Sequence, residues 1–333
     1  MRDIPKKLYR FRSLDDALVD REISALTDSY LWSPKFPELN DPMEAYYELG
    51  DTADTILDLL VPRATSRLPH LYDQLDSILK SLCLISFGTT HIDSAMWAYY
   101  GSSHAGMCLE FDTELLALGD LRAEKLVDVT YSNSPLPKIS FATLDNISYE
   151  VMARYVSHKR IEWAHENEWR FVTGSNGKKH YFEDALCRVF IGARAKSVHI
   201  DQILLALKKR PVEVVFCKIS GFEMHFETIQ RAQPLAASER VGAGIFEPER
   251  VLAYSEQNLR SFLSVPYEEL LAECRRTALH PNAEEIQRID IAGSDPNLLY
   301  FWTFYKLRSG REVHDGRYFD RQMRLVKRDL AKP

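Results

Sequence analysis

The pair Glu166-Asn167-Glu168 carries the strongest candidate chemistry in this chain. At a strand entrance, two carboxylates two positions apart point to one side, with about 7 Å between alpha carbons. One can then orient a substrate or polarise a water while the other stabilises a developing cation. The flanking Trp163 and Trp169 can lower the local dielectric and so raise a carboxyl pKa. The competing reading is an acidic turn in which Glu168 pairs with Arg170 or Arg10. The next candidate is Arg10, set between Tyr9 and Phe11. Its planar fork suits a phosphate or a carboxylate. Arg12, two residues on, shares its face and makes a two-pronged anion site. An internal pair between Arg10 and Glu168 or Glu110 is the structural alternative.

Two further stretches mix aromatic, charged and turn-forming residues. In Ser33-Pro-Lys-Phe-Pro-Glu-Leu-Asn-Asp-Pro42, three prolines stiffen the chain, and Asn40-Asp41 can form an Asx turn. Such a loop is a ligand wall or a structural corner, with Asn40 and Asp41 its chemical candidates. In the stretch from Met96 to Asp112, Trp97 and Tyr100 share a helical face at spacing three, and Gly101 to Gly106 present His104. His158 and His165 are seven apart, but no third ligand stands in spacing, and the five cysteines form no CxxC pair, so no metal is expected. No P-loop, Rossmann glycine fingerprint, GxSxG elbow or HExxH motif occurs.

The elements that must position these residues read as a mixture of strands and helices without strict alternation. The fold class is therefore α+β, a largely antiparallel central sheet with flanking helices and a helical C-terminal segment. Strands are expected at 8–11, 30–33, 82–87, 106–112, 125–131, 168–173, 188–192, 212–218 and 224–229. Helices are expected from about 14 to 28, at 51–61, 70–81, 139–161 and 198–209. The Gly- and Pro-bearing stretch 233–244 reads as a linker, giving domains 1–232 and 245–333. Helices are expected beyond it at 248–262, 266–277, 281–290 and 297–308, the last buried through Phe301, Trp302 and Phe304.

Composition bounds the partners. With 42 Lys and Arg against 48 Asp and Glu, the chain is mildly acidic, which argues against a nucleic-acid footprint over the whole surface. From Lys306 onward nine Lys and Arg face four Asp and Glu. That tail reads as a solvated helix or as a nucleic-acid or protein contact. No apolar run reaches the length of a membrane span, and Met1 to Lys7 lack the apolar stretch of a secretory signal. The cysteines fit a reducing compartment, so the expectation is a cytoplasmic protein without a membrane partner.

Leu8-Tyr-Arg-Phe-Arg-Ser13, the Pro-rich loop, Met96 to Asp112 and Trp163-Ala-His-Glu-Asn-Glu-Trp-Arg-Phe-Val172 resemble DUF2971, a bacterial family of uncharacterised function, over about residues 8–230. A second resemblance lies in motif order. Arg10, then Leu84-Ile-Ser-Phe-Gly-Thr-Thr90, then Glu166-x-Glu168 is similar to the arginine, Ser-Thr-Ser and ExE order of ADP-ribosyltransferases. Ser86-Phe-Gly-Thr departs from Ser-Thr-Ser, and the insert before it is long. That resemblance implies NAD as substrate, Arg10 on its phosphate, Ser86 supporting the nicotinamide ribose and Glu168 stabilising the oxocarbenium-like state, with Glu166 aiding the acceptor. It also implies a toxin or anti-phage effector acting on a macromolecule. The reading from a different class is a module that binds a nucleotide or small anion without turnover.

Overall fold

A computed structural model of the protein describes residues 2–39, 41, 43, 68–122, 124–136 and 149–329. Asn40 and the helix expected at 51–61 lie outside these residues. The chain folds as two compact units that interleave in sequence. The first takes in Met1–Arg10, Leu31–Met96 and Glu124–Lys179; the second takes in Phe11–Tyr30, Trp97–Ala123 and His180–Pro333. The linker expected at 233–244 lies inside the second unit.

In the first unit the centre is a three-stranded antiparallel sheet of β3 (Cys83–Phe87), β8 (Trp169–Thr173) and β5 (Lys125–Asp128), with β8 in the middle. Every residue of β8 is buried, which fits its apolar run Trp-Arg-Phe-Val apart from one arginine. The register sets Ser86 opposite Arg170 on one side and Val127 opposite Arg170 on the other. A short parallel pair, β6 (Thr130–Ser132) with β7 (His158–Arg160), places Tyr131 opposite Lys159. Leu79, Leu82, Leu84, Val156 and Val172 form the apolar core under this sheet. The helix expected at 139–161 is corrected in its described part. It spans Tyr149–Tyr155, and the chain then forms β7 and a 3-10 turn, Ile161–Glu166. His158 and His165 therefore share no helix face.

The second unit holds two sheets. One contains, in order, the end of β1 (Lys7–Arg12), β4 (Met107–Asp112), β10 (Leu186–Ile191), β11 (Glu213–Ser220) and β12 (Glu223–Gln230). Here β10 and β11 run parallel, joined across the helix Ser197–Leu207, whereas β4 with β10 and β11 with β12 run antiparallel. The other is an antiparallel meander, β13 (Ala283–Ile291), β14 (Leu299–Lys306), β15 (Glu312–Phe319) and β16 (Leu325–Asp329).

That meander overturns the expected helical C-terminal segment. Helices do follow the linker, at Pro248–Val251, Glu256–Phe262 and Tyr267–Ala278, but 281–290 and 297–308 are largely strand. In β14 the side chains of Leu299, Phe301, Thr303 and Tyr305 turn into the core while Tyr300, Trp302, Phe304 and Lys306 face outward. Rings on both sides of a strand mimic a helix that is aromatic all round; bulky aromatics in a row favour the extended chain. Phe301 is buried as expected, but Trp302 remains 37% exposed.

The basic tail is strand as well, and most of its charge is matched within this unit. Arg308 reaches Glu183 at 3.0 Å, Arg317 reaches Glu273 at 3.0 Å and Arg328 reaches Asp315 at 2.8 Å. Glu183 and Asp315 are fully buried, so Arg308 and Arg328 face interior carboxylates.

Candidate functional site

The first unit builds an ionic centre almost out of reach of water. Lys159, Glu166, Glu168 and Arg170 are all buried. The 3-10 turn ends on Glu166, and Asn167 follows in the left-handed region at φ 42°. Asparagine tolerates that conformation. The kink means that Glu166 and Glu168 do not sit on an extended strand, as expected from their spacing. They meet instead through one ammonium group: Lys159 Nζ lies 2.5 Å from Glu166 and 3.2 Å from Glu168. Arg170 grips Glu168 with two parallel bonds of 2.8 Å and donates a third, 2.7 Å, to the Val156 carbonyl. Glu168 thus pairs with Arg170, one of its two anticipated structural partners.

Polar and aromatic groups close the centre. The Glu168 amide donates to the Tyr131 hydroxyl at 2.9 Å, and the Lys159 ammonium lies 5.0 Å from the Trp163 ring. Trp169 is buried, with the Arg2 guanidinium 5.3 Å over its face. Burial pushes the Glu168 carboxyl up to about 7; Lys159 pulls against this, the charge of Glu166 adds to it, and the Ser86 hydroxyl opposes it. Burial likewise brings Arg170 down to about 9 and drives the Tyr131 phenol up. Two carboxylates with two cations make a balanced interior charge set.

Arg10 stands one layer out. Half-buried, it donates from Nη1 to the Ser86 carbonyl at 2.7 Å, and its guanidinium lies 5.8 Å from the Phe87 ring. Backbone bonds between Tyr9 and Gly88, of 3.0 and 2.7 Å, fix this part of β1 against the end of β3. Tyr9 and His91 rings pack at 5.3 Å. Ser86 therefore touches both Arg10, through its carbonyl, and Glu168, through its hydroxyl.

The other sequence candidates have settings of their own. Arg12 donates from Nε and Nη2 to the buried Glu22, with bonds of 2.7 and 2.5 Å. Asp41 accepts from the Met43 amide at 2.9 Å, an Asx-type turn. Trp97 belongs to the second unit, where it is fully buried, edge-on to Phe11 at 5.2 Å and nearly parallel to His104. Tyr100, in the same unit, is half-buried.

Sequence reasoning missed Lys159 and Tyr131. Their proximity depends on the parallel pairing of β6 with β7, a long-range register that no local spacing announces. A lysine seven residues before the first glutamate was the available signal. Among the described residues, no group of His, Cys, Asp and Glu could hold a metal ion. No helix among them is long and apolar enough to cross a membrane.

Residues 96–171 match the DUF2971 family, described as a protein of unknown function. The match covers a shorter span than the roughly 8–230 read from the sequence. The matched span includes Trp97, His104, Tyr131, Lys159, both glutamates and Arg170. No curated protein and no solved structure matches the chain.

Proposed function

We propose that the first unit binds a nucleotide or another small phosphate-bearing anion, with Arg10 as its anion contact and the buried ionic centre as a rigid floor. The observation that carries this reading is the engagement of Glu168: Arg170 and Lys159 occupy its oxygens and water barely reaches it. A carboxylate that must face a developing cation needs an open side. One held by two cations serves better to fix Ser86, and through it Arg10, in one geometry.

The transferase reading rests on a separate observation. Arg10, Ser86 and Glu168 form one connected set, and they are the residues to which the resemblance to ADP-ribosyltransferases assigns roles. In that case NAD is the substrate, Glu166 aids the acceptor, and the product is a modified macromolecule, as for a toxin or an anti-phage effector.

Calorimetric titration with NAD, ATP and ADP-ribose, paired with a nicotinamide-release assay, separates the two. The binding reading expects saturable binding that Arg10→Ala weakens by about ten-fold or more, as for loss of a charge-assisted contact, with no nicotinamide released. Release that Glu168→Gln abolishes in a folded protein would establish the transferase instead. Absence of binding by all three ligands would refute both.

A further inference from the structure

The turn Gly101–Gly106 has a strained backbone. Ser102, Ser103 and His104 all lie in the left-handed region, at φ 48°, 52° and 68°. Three successive side-chain-bearing residues there are costly, and such strain persists only where the surroundings over-determine it. Here they do. The Ser103 amide donates to the Ala98 carbonyl and the His104 amide to the Trp97 carbonyl, both at 3.2 Å, while Gly106 donates to Gly101 at 2.8 Å. From beyond β10, the Arg194 amide holds the His104 carbonyl at 2.8 Å and the Gly192 amide holds the Gly106 carbonyl at 2.9 Å. A methyl group on Gly106 would stand 2.3 Å from the Arg12 carbonyl, and one on Gly192 would stand 2.2 Å from the His104 carbonyl.

This rigid turn presents a histidine in an unusual state. The imidazole lies nearly parallel to the Trp97 indole, at 12° and 6.0 Å. Its Nδ1 is enclosed and has no hydrogen-bond partner. Burial, aided by the charge of Arg194, keeps the ring below the ordinary histidine range, so it is neutral at pH 7. With Nδ1 enclosed, Nε2 is the nitrogen left to meet a ligand. Beside it, the Arg194 side chain is exposed and, apart from its charge acting on His104, has no partner among the described residues. The exposed Ser103 adds a hydroxyl. The neighbouring carboxylate, Asp15, is turned onto the Ser13 hydroxyl at 2.6 Å, to which Ser102 donates at 2.5 Å.

We propose that this turn is a binding site for a small oxyanion of the phosphate class, held between the His104 imidazole and the Arg194 guanidinium. Arg194 supplies a forked, permanently charged contact suited to such an anion. His104 completes it by taking up a proton as the anion arrives, because an anion beside the ring favours its charged form. The site lies in the second unit and is independent of Arg10, so the two readings stand or fall separately.

Histidine side-chain nitrogen spectra of the full labelled chain test it, titrated with pH in chloride and again with inorganic phosphate or AMP. The expected result is a saturable rise of the His104 pKa, lost in Arg194→Ala. His104→Gln should bind phosphate about ten-fold or more weakly, as for loss of a charge-assisted bond. A response to inorganic phosphate points to the free ion; a response to AMP at far lower concentration points to a nucleotide phosphate. No saturable shift with either, or the same shift in Arg194→Ala, would overturn the proposal. Unchanged amide spectra outside the turn in both variants would show that the fold is intact.

Discussion

Arg170→Met probes the ionic centre most directly. It removes three charge-assisted bonds, two to Glu168 and one to the Val156 carbonyl, while methionine retains much of the buried volume. Lys159 remains, but it already serves Glu166 at 2.5 Å and reaches Glu168 only at 3.2 Å. Stranding a buried charge in this way costs about 3–5 kcal/mol. The cost must depend on pH, and its sign follows from the raised pKa. Glu168 has a folded value of about 7 against an ordinary 4.5, so its contribution is fully present below 4.5 and is lost as pH rises through 7. Without Arg170 the folded value climbs further. Wild type and variant then share the same slope up to about pH 7 and diverge above it, by about 1.4 kcal/mol per pH unit of extra shift. Urea unfolding should therefore show a loss of about 1–3 kcal/mol at pH 6, the scale of the broken hydrogen bonds. At pH 8, where Arg170 is still charged, the loss should be larger by about 1.4 kcal/mol. An equal loss at both pH values would refute the idea that Glu168 carries the stranded charge. A loss below about 1 kcal/mol at pH 8 would refute the buried pair itself.

Other outcomes follow from the same structure. Burial alone would raise the Glu22 carboxyl, but Arg12 and Arg21 overrule it and hold it below its ordinary value. Its stabilisation is therefore present above pH 4.5 and is lost as pH falls through the folded value, so Glu22→Gln should flatten the acid limb of the stability curve; an unchanged limb would contradict this. Phe301 is fully buried, packs on Phe319 at 4.8 Å and has the Arg317 guanidinium 5.6 Å over its ring. Phe301→Ala should cost about 3–5 kcal/mol in chemical denaturation. A cost under about 1 kcal/mol would mean that β14 does not pack as described. Gly192→Ala drives a methyl into the His104 carbonyl and should destabilise by about 1–3 kcal/mol; an unchanged urea midpoint would show that the left-handed turn is not held from that side.

How much was legible in advance depends on the range of the interaction. The strand Cys83–Phe87 announces itself through a nearly continuous apolar run, because a strand covered on both faces must be apolar on both. The Asx turn at Asp41 and the α+β class were likewise local matters of residue type. The β14 run was not, since rings at successive positions satisfy the period of a helix and a strand alike, and only pairing with β13 and β15 decides between them. The glutamates were legible as unusual residues but not in their setting. Local spacing placed them side by side on a strand. The left-handed Asn167 and the register of Tyr131 with Lys159 bring them instead around one buried ammonium. Arg10 and Arg12 show the same division. Their alternation along β1 is fixed by sequence, but the carboxylate that meets Arg12 is Glu22, which arrives from another element. Residue type and period are properties of the chain over a few bonds; charge partners come from segments far apart in it, and only the folded arrangement chooses them.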